Sequence, residues 1–377
     1  MRPIILRLLV ILSSLSGLAA LRAAEAPKPA SNLVISGDLR ARYEWDWDSQ
    51  TGAGVPRVDR ERARIRARLG FTYKLDSTWS IGGRLRTGNK LSQQSPHLTI
   101  WSSDDVTDDF AVQADRYYVQ YKKNALTAWG GRNTNPFWQP DEVFWDEDVT
   151  PTGVAGSYDS KLAHGVLTTT LAAFYMPDGA VELNGTLVGG QLKYVRPIDK
   201  SSLTLAAGLY AYNGREGAEN LTSRNGARDY LLGVASAQYV VPVAPNRPLT
   251  LGASLLKNFE DYSAADTAPY NVSQADQTLG YMVSAALGQL KKPHDWLLAY
   301  FYADIETFSV NASYSPDDWA RFGSGPQALV TDFHGHEFRA GYAFTGALNL
   351  MVRYFIVEAN TSVQDGRRCR VDLNWKF

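Results

Sequence analysis

Five arginines occupy every second position of Arg60-Glu61-Arg62-Ala63-Arg64-Ile65-Arg66-Ala67-Arg68-Leu69-Gly70-Phe71. A guanidinium group stays charged at any pH a protein meets and offers its N–H donors in a rigid fork. A row of them suits the handling of anions rather than proton transfer. Alternate side chains of a β-strand point to opposite faces. The segment therefore reads as a strand with Arg60, Arg62, Arg64, Arg66 and Arg68 on one face and Glu61, Ala63, Ile65, Ala67, Leu69 and Phe71 on the other. A helix would scatter the arginines around its circumference and leave no apolar stripe. Along a strand, guanidinium groups two residues apart sit about 7 Å from each other. Each adjacent repulsion is about 0.6 kcal/mol in water and more than about tenfold larger in a dry interior. The arginine face must be wet or opposed by carboxylates. With its other face apolar, the strand fits an exposed sheet on a core or the wall of a water-filled membrane barrel.

A second charged stretch runs from Arg132 to Thr152. It holds Asp141, Glu142, Asp146, Glu147 and Asp148 beside Asn135-Pro136-Phe137-Trp138 and Phe144-Trp145. So many acids and aromatics are odd on an outer surface. Folded into a barrel, this third long loop would set carboxylates against the arginines. A transverse field of that kind filters solutes by charge and size. Asp104-Asp105 with Asp108-Asp109 could bind a divalent cation or could simply be solvated. Of five histidines, His334 and His336 share a strand face with Asp332, but no third metal ligand is evident. No histidine stands out beside a nucleophile or a pair of acids. No catalytic residue, metal site or cofactor is expected.

These residues need elements to position them. The chain has 377 residues and a net charge of -1, so nucleic acid is not an expected partner. Aromatics are 12%, with 20 Tyr and 10 Trp, the types that gather where apolar meets wet. The lone Cys369 excludes an internal disulfide. Arg2 and Arg7 precede an apolar run from Leu8 to Ala20 that is too short to span a bilayer, and small residues follow. Residues 1–24 are expected to be an export leader, cleaved somewhere between 20 and 26, and 25–377 a single β-barrel. From Leu33 on, alternating segments recur at 33–45, 60–74, 79–86, 112–122, 125–132, 153–159, 163–175, 186–196, 202–213, 229–241, 248–258, 278–289, 294–306, 333–344, 347–358 and 367–377. Short connections alternate with long ones, the long ones near 46–59, 87–111, 133–152, 176–185, 214–228, 259–277, 307–332 and 359–366. The expected fold is all-β: a transmembrane antiparallel barrel of about 16 strands, with short periplasmic turns and long extracellular loops.

Closing such a barrel pairs its last strand with its first. The inward residues of neighbouring strands then form one basic wall: Arg40, Arg42, Arg60, Arg62, Arg64, Arg66, Arg68, Arg84, Arg86, Arg116, Arg353 and Arg370, with Arg339, Arg368 and Lys376. The strands opposite carry small or uncharged residues on the matching face, among them Thr204, Gly208, Tyr210, Tyr212, Gly252, Ser254, Gly280 and Ser284. Some wall arginines could instead pair with the inward acids Asp38, Glu44 and Asp372.

Arg64-Ile65-Arg66-Ala67-Arg68-Leu69-Gly70-Phe71 and Trp79-Ser80-Ile81-Gly82-Gly83-Arg84-Leu85-Arg86-Thr87-Gly88-Asn89 resemble the putative porin family of Gram-negative bacteria. So do Gly130-Gly131-Arg132-Asn133-Thr134-Asn135-Pro136-Phe137 and Val143 through Ala155, and the alternating last strand ending on Phe377 is typical of outer-membrane barrels. The resemblance is strong from about 57 to 160. It implies an outer-membrane barrel for passive diffusion and, through porins of similar size, a homotrimer. The function expected is a non-enzymatic channel for small hydrophilic solutes, favouring anions, in contact with the bilayer and lipopolysaccharide. Arg132 with Asp141, Glu142, Asp146, Glu147 and Asp148 would form its constriction. Export of an alginate-like acidic polysaccharide through an open lumen is the first alternative, and an outer-membrane barrel hydrolase the second.

Overall fold

The computed structural model describes residues 32–179, 182–214, 228–262, 274–319 and 331–377. The expected leader lies outside them. All the regular elements are strands: β1 (Leu33–Gln50), β2 (Arg60–Lys74), β3 (Trp79–Thr87), β4 (Leu98–Ser102), β5 (Val112–Lys123), β6 (Leu126–Arg132), β7 (Thr152–Leu162), β8 (Gly165–Asp178), β9 (Glu182–Ile198), β10 (Ser201–Asn213), β11 (Tyr230–Ala244), β12 (Arg247–Asn258), β13 (Leu279–Gly288), β14 (Trp296–Ile305), β15 (Phe333–Ala343), β16 (Leu348–Ala359) and β17 (Asp365–Lys376). They join in chain order as one antiparallel sheet that closes by pairing β1 with β17, from Asp38 opposite Lys376 to Gln50 opposite Asp365. Gly37 and Phe377 exchange backbone hydrogen bonds at 3.0 and 3.1 Å. Closure leaves no strand edge in the wall, which a sheet crossing lipid requires.

The wall has sixteen staves. The short β4, not anticipated from the sequence, lies beside Arg62–Ile65 of β2, beyond the end of β3. Two connections are tighter than expected. Strand pairing continues to Asp178 opposite Glu182, and only 360–364 separate β16 from β17. In both segments polar residues break the apolar alternation, whereas backbone pairing continues regardless of what the side chains are.

The sheet is inside out relative to a soluble protein. Leu39, Leu69, Phe71, Leu85, Val119, Leu171, Val188, Leu209, Leu255 and Phe338 are exposed on its outer face. Glu44, Asp46, Arg86, Arg370 and Asp372 are almost fully buried within it. An apolar outer belt over a polar interior is what lipid outside and water inside demand.

The apolar core lies inside the barrel. Phe137, Phe144 and Trp145, between β6 and β7, pack with Tyr314 and with Tyr210 and Tyr212 of β10. The chain leaves the wall for the lumen after Arg132, just past Gly131, whose φ is +122°. A Cβ there would lie 2.3 Å from the Tyr117 carbonyl oxygen, so only glycine fits.

The arginines of β2 interleave with acids from β1. Glu44 accepts hydrogen bonds from Arg62 and, at 2.6 Å, from Arg370. Removing one member of a buried ion cluster strands the others, at a cost of about 3–5 kcal/mol. Glu44→Gln should therefore lower the unfolding temperature of the detergent-solubilised barrel by circular dichroism. Glu358→Gln, at an exposed carboxylate 3.5 Å from His334, should leave it in place. Equal melting of both variants would remove the stabilising role assigned to the Glu44 cluster.

Candidate functional site

The twelve arginines of the basic wall stand together on the inner face of β1, β2, β3, β5, β16 and β17, and nearly all have a carboxylate partner. Asp372 takes Arg42 in a two-point pair at 2.6 and 2.9 Å, and Arg40 lies 4.0 Å away. Asp46 takes Arg60 at 3.0 Å and Arg368 at 2.5 Å. Asp38 bridges Arg66 at 2.9 Å and Arg68 at 2.6 Å. Glu337 accepts from Arg339 and Arg353, each at 2.5 Å. Asp318 meets Arg353 and Arg370. Arg86 donates to the Ser92 carbonyl at 2.9 Å.

Asp115, which is not among the inward acids expected from the sequence, holds Arg84. Strict alternation sends it outward. A bulge breaks the register between Arg84, opposite Arg116, and Leu85, opposite Ala114, and the extra residue turns Asp115 inward.

Two members of the wall differ from the rest. Arg64 and Arg116 have no carboxylate within 4.0 Å among the described residues. Arg64 donates to Ser95 Oγ at 3.1 Å, and its Nε is buried without a partner. The Arg116 Nε is likewise buried and unpartnered.

Residues 133–151 cross the lumen. On one side their anchors are hydrogen bonds and rings. Gln191 of β9 both accepts from the Trp138 N–H and donates to its carbonyl, each at 2.8 Å. Ser254 of β12 donates to Asp141 at 2.8 Å. Phe144 packs on Tyr210 with ring centres 4.4 Å apart. On the far side Asp148 accepts from Arg68 at 2.5 Å and Arg66 at 3.4 Å. Glu147 is exposed, 3.8 Å from Arg66. Arg132 closes the base of the loop, donating to the Thr150 carbonyl at 3.0 Å.

Two further segments join it. The Asp146 N–H donates to the Tyr314 carbonyl at 2.8 Å, and Trp145 stacks on Tyr314. Gln93 and Gln94 donate to the Ser313 and Ala312 carbonyls at 2.7 and 3.1 Å. The contribution of 307–319 was missed by sequence reasoning. Its signal was Asp317-Asp318-Trp319, the same pairing of acids with an aromatic that marked the third loop.

The constriction carboxylates divide into two kinds. Burial pushes Asp141 up to about 6, against the Ser254 hydrogen bond. Burial, with Glu147 and Asp318 nearby, pushes Glu142 up to about 8. Burial and Asp148 hold Asp146 well above the usual carboxylate range. Burial also acts against Asp148 and Asp318, but the Arg68 and Arg353 charges outweigh it and keep both below that range. At neutral pH the loop therefore carries fewer negative charges than its five acids suggest.

No group of three His, Cys, Asp or Glu side chains is placed to hold a metal among the described residues. His334 lies 3.5 Å from Glu358, and His336 shares a 2.9 Å hydrogen bond with the Tyr300 hydroxyl.

Residues 53–231 match the model of a protein family described as Putative porin. No curated protein sequence matches the chain. Among solved structures, a high-pH form of OprB from Pseudomonas putida is similar at a TM-score of 0.57 and 12% identity, over 92% of this chain and 94% of that one. OmpF of Salmonella typhi, in complex with daunomycin, gives 0.52 at 13% identity over 92% and 97%. The trimer form of Vibrio cholerae OmpT gives 0.51 at 8% identity over 93% and 100%. At these identities the likeness is one of fold.

Raised carboxyl values have a signed consequence. Where the folded chain holds protons that the unfolded chain releases, stability is lost as pH rises from the ordinary carboxylate range to the raised value. Asp148 and Asp318 act oppositely, but their effect is spent below neutral pH. Packing of 141–149 should thus loosen as pH rises from the ordinary carboxylate range to about 8, where Glu142 has ionised beside Glu147 and Asp318, with Arg339 and Arg353 limiting the effect. Hydrogen exchange of these amides, corrected for intrinsic rates, should show protection falling over that range, and less so in Glu142→Gln. A pH-independent protection, or an unchanged slope in the variant, would contradict the assignment.

Proposed function

From a chain that belongs over residues 53–231 to the putative porin family, and that folds as an outer-membrane porin barrel, we propose a passive diffusion channel that favours small hydrophilic anions. The observation that carries this reading is the pair Arg64 and Arg116. The other arginines of the wall each lie within 4.0 Å of a carboxylate, often one shared between two of them, so these two are the guanidinium groups that meet a passing solute with no adjacent counter-charge. Glu142, pushed up to about 8, holds its proton at neutral pH and subtracts little from their positive potential, and the Asp146 carboxyl is shifted in the same direction. Arg64 lies on the loop side of the Asp148 clamp and Arg116 on the turn side, given that Arg116 is opposite Arg84 and Arg84 opposite Gly70. An anion would be attracted from either end.

The short turns would face the periplasm and the long connections the outside, after export by the leader at 1–24. The solvent-exposed apolar belt suits bilayer and lipopolysaccharide. A homotrimer is the assembly we expect, since one of the similar structures is a trimer form. Two inner segments crossing the lumen tell against export of an acidic polysaccharide, which needs an open bore. The family and fold are those of channels, and a hydrolase reading gains no support from them.

A unit charge about 10 Å from a passing ion in wet surroundings is worth about 0.4 kcal/mol, roughly a twofold effect. In planar bilayers under a salt gradient, the reversal potential should lie on the anion side. Arg64→Ala and Arg116→Ala should each lower the chloride-to-potassium permeability ratio roughly twofold, and the double variant should nearly abolish the preference. Cation selectivity of the parent protein, or an unchanged ratio in the double variant, would overturn the proposal.

A further inference from the structure

The loop-end half of the lumen holds a cavity of about 420 Å³, within the range of small-molecule sites. Arg64 lines it. Arg60, Arg62, Arg368 and Arg370 line it too, but these four are paired with Glu44, Asp46 and Asp318, which they share. Beside Arg64 stands His97, 5% exposed, with its Nε2 buried and unpartnered among the described residues. Burial and the nearby Arg42 and Arg64 charges keep the imidazole neutral. Both residues line one space, and each keeps a buried polar atom without a partner among the described residues, which is costly.

The remaining walls narrow the chemistry. Asn89, Ser92, Ser95 and Thr99 present amide and hydroxyl groups, and Val106 is the one aliphatic residue in the lining. Of the acids present, Asp108 accepts from the Thr99 N–H at 2.7 Å, and Asp104 accepts from the Ser102 hydroxyl and lies 3.9 Å from Arg60. Asp317 is the third acid of the lining. With Ser95 and His97 it also lines the next cavity, of about 220 Å³, which contains Glu142, Asp146 and Asp148. Asp317 therefore sits at the neck between the two spaces, where it repels a second negative charge. One unpaired cation, hydroxyl and amide walls and a negative neck define a ligand with one carboxylate and several hydroxyls.

We propose that Arg64, His97 and Ser95 form a saturable binding site for a polyhydroxylated monocarboxylate, a sugar acid in chemical class, on the loop side of the constriction. The site rests on the reading of the chain as an anion-favouring channel and adds a resident step to diffusion. The carboxylate pairs with the Arg64 guanidinium, the hydroxyls replace water on Asn89, Ser92 and Thr99, and His97 closes the neck side.

The test uses the purified full-length protein in planar bilayers in potassium chloride, with gluconate as the probe. Gluconate should reduce chloride conductance with a saturable dose dependence. Sorbitol, which lacks the carboxylate, should not, and acetate and inorganic phosphate should block more weakly. Arg64→Ala should raise the half-blocking gluconate concentration by about tenfold or more, as expected for loss of a charge-assisted hydrogen bond. Arg64→Lys keeps the charge but not the fork and should recover only part of the block. If Arg64→Ala fails to fold, His97→Ala and Ser95→Ala, both outside the barrel strands, decide the question with the same readout. No saturable block, equal block by phosphate or acetate, or full block in the folded variants would overturn the site. Anion-side reversal potentials persisting without block would sink the site alone. Cation preference with saturable block would sink the selectivity reading alone.

Discussion

Repulsion between arginines is the constraint on which this barrel depends. Register sets Arg40 opposite Arg66, Arg42 opposite Arg64, Arg339 opposite Arg353 and Arg353 opposite Arg370. Directly opposed like charges destabilise a sheet. Carboxylates placed between the rows make the arrangement tolerable: Asp38, Glu44 and Asp46 of β1, Glu337 of β15 and Asp372 of β17. The seam where the first strand meets the last is thus held by ion pairs as well as by the ladder. Buried ion pairs of this kind are expensive to break and specific in geometry, more than they are a large source of net stability.

The same electrostatics reaches into the lumen. Asp148 belongs to the inner segment but sits among Arg66, Arg68 and Arg86, and its ion pair with Arg68 is shorter than the 3.8 Å contact of Glu147 with Arg66. The opposite end of that segment is held without an ion pair, by hydrogen bonds to Gln191 and Ser254 and by stacked rings. One ionic and one apolar anchor stretch the segment across the bore. Tyr314 and Asp318 of 307–319 extend it, so the passage is shaped by three connections rather than one.

Compensation also explains why so few of the many arginines matter for a solute. A guanidinium already paired with a carboxylate presents little net field at the distance of a passing ion. Arg64 and Arg116 remain. The bulge at Asp115 is one reason, since it turns a carboxylate toward Arg84 and leaves Arg116 beside it without one.

Much was legible in the residues themselves. Period-two alternation in lipid and water has one solution per residue, so strands, faces, closure of the last strand on the first and the arginine band could be read directly. The alternative that carboxylates oppose the arginines was also visible in Asp38, Glu44 and Asp372. The partners that come from outside a strand's own alternation were not. Asp115 is turned by a bulge, Asp318 arrives from a connection far along the chain, and Asp148 is placed by anchors on both sides of the lumen. Alternation encodes only which face a residue occupies. Which charges meet across the interior is decided by register shifts and by loops folding inward, and these exist only once the barrel has closed.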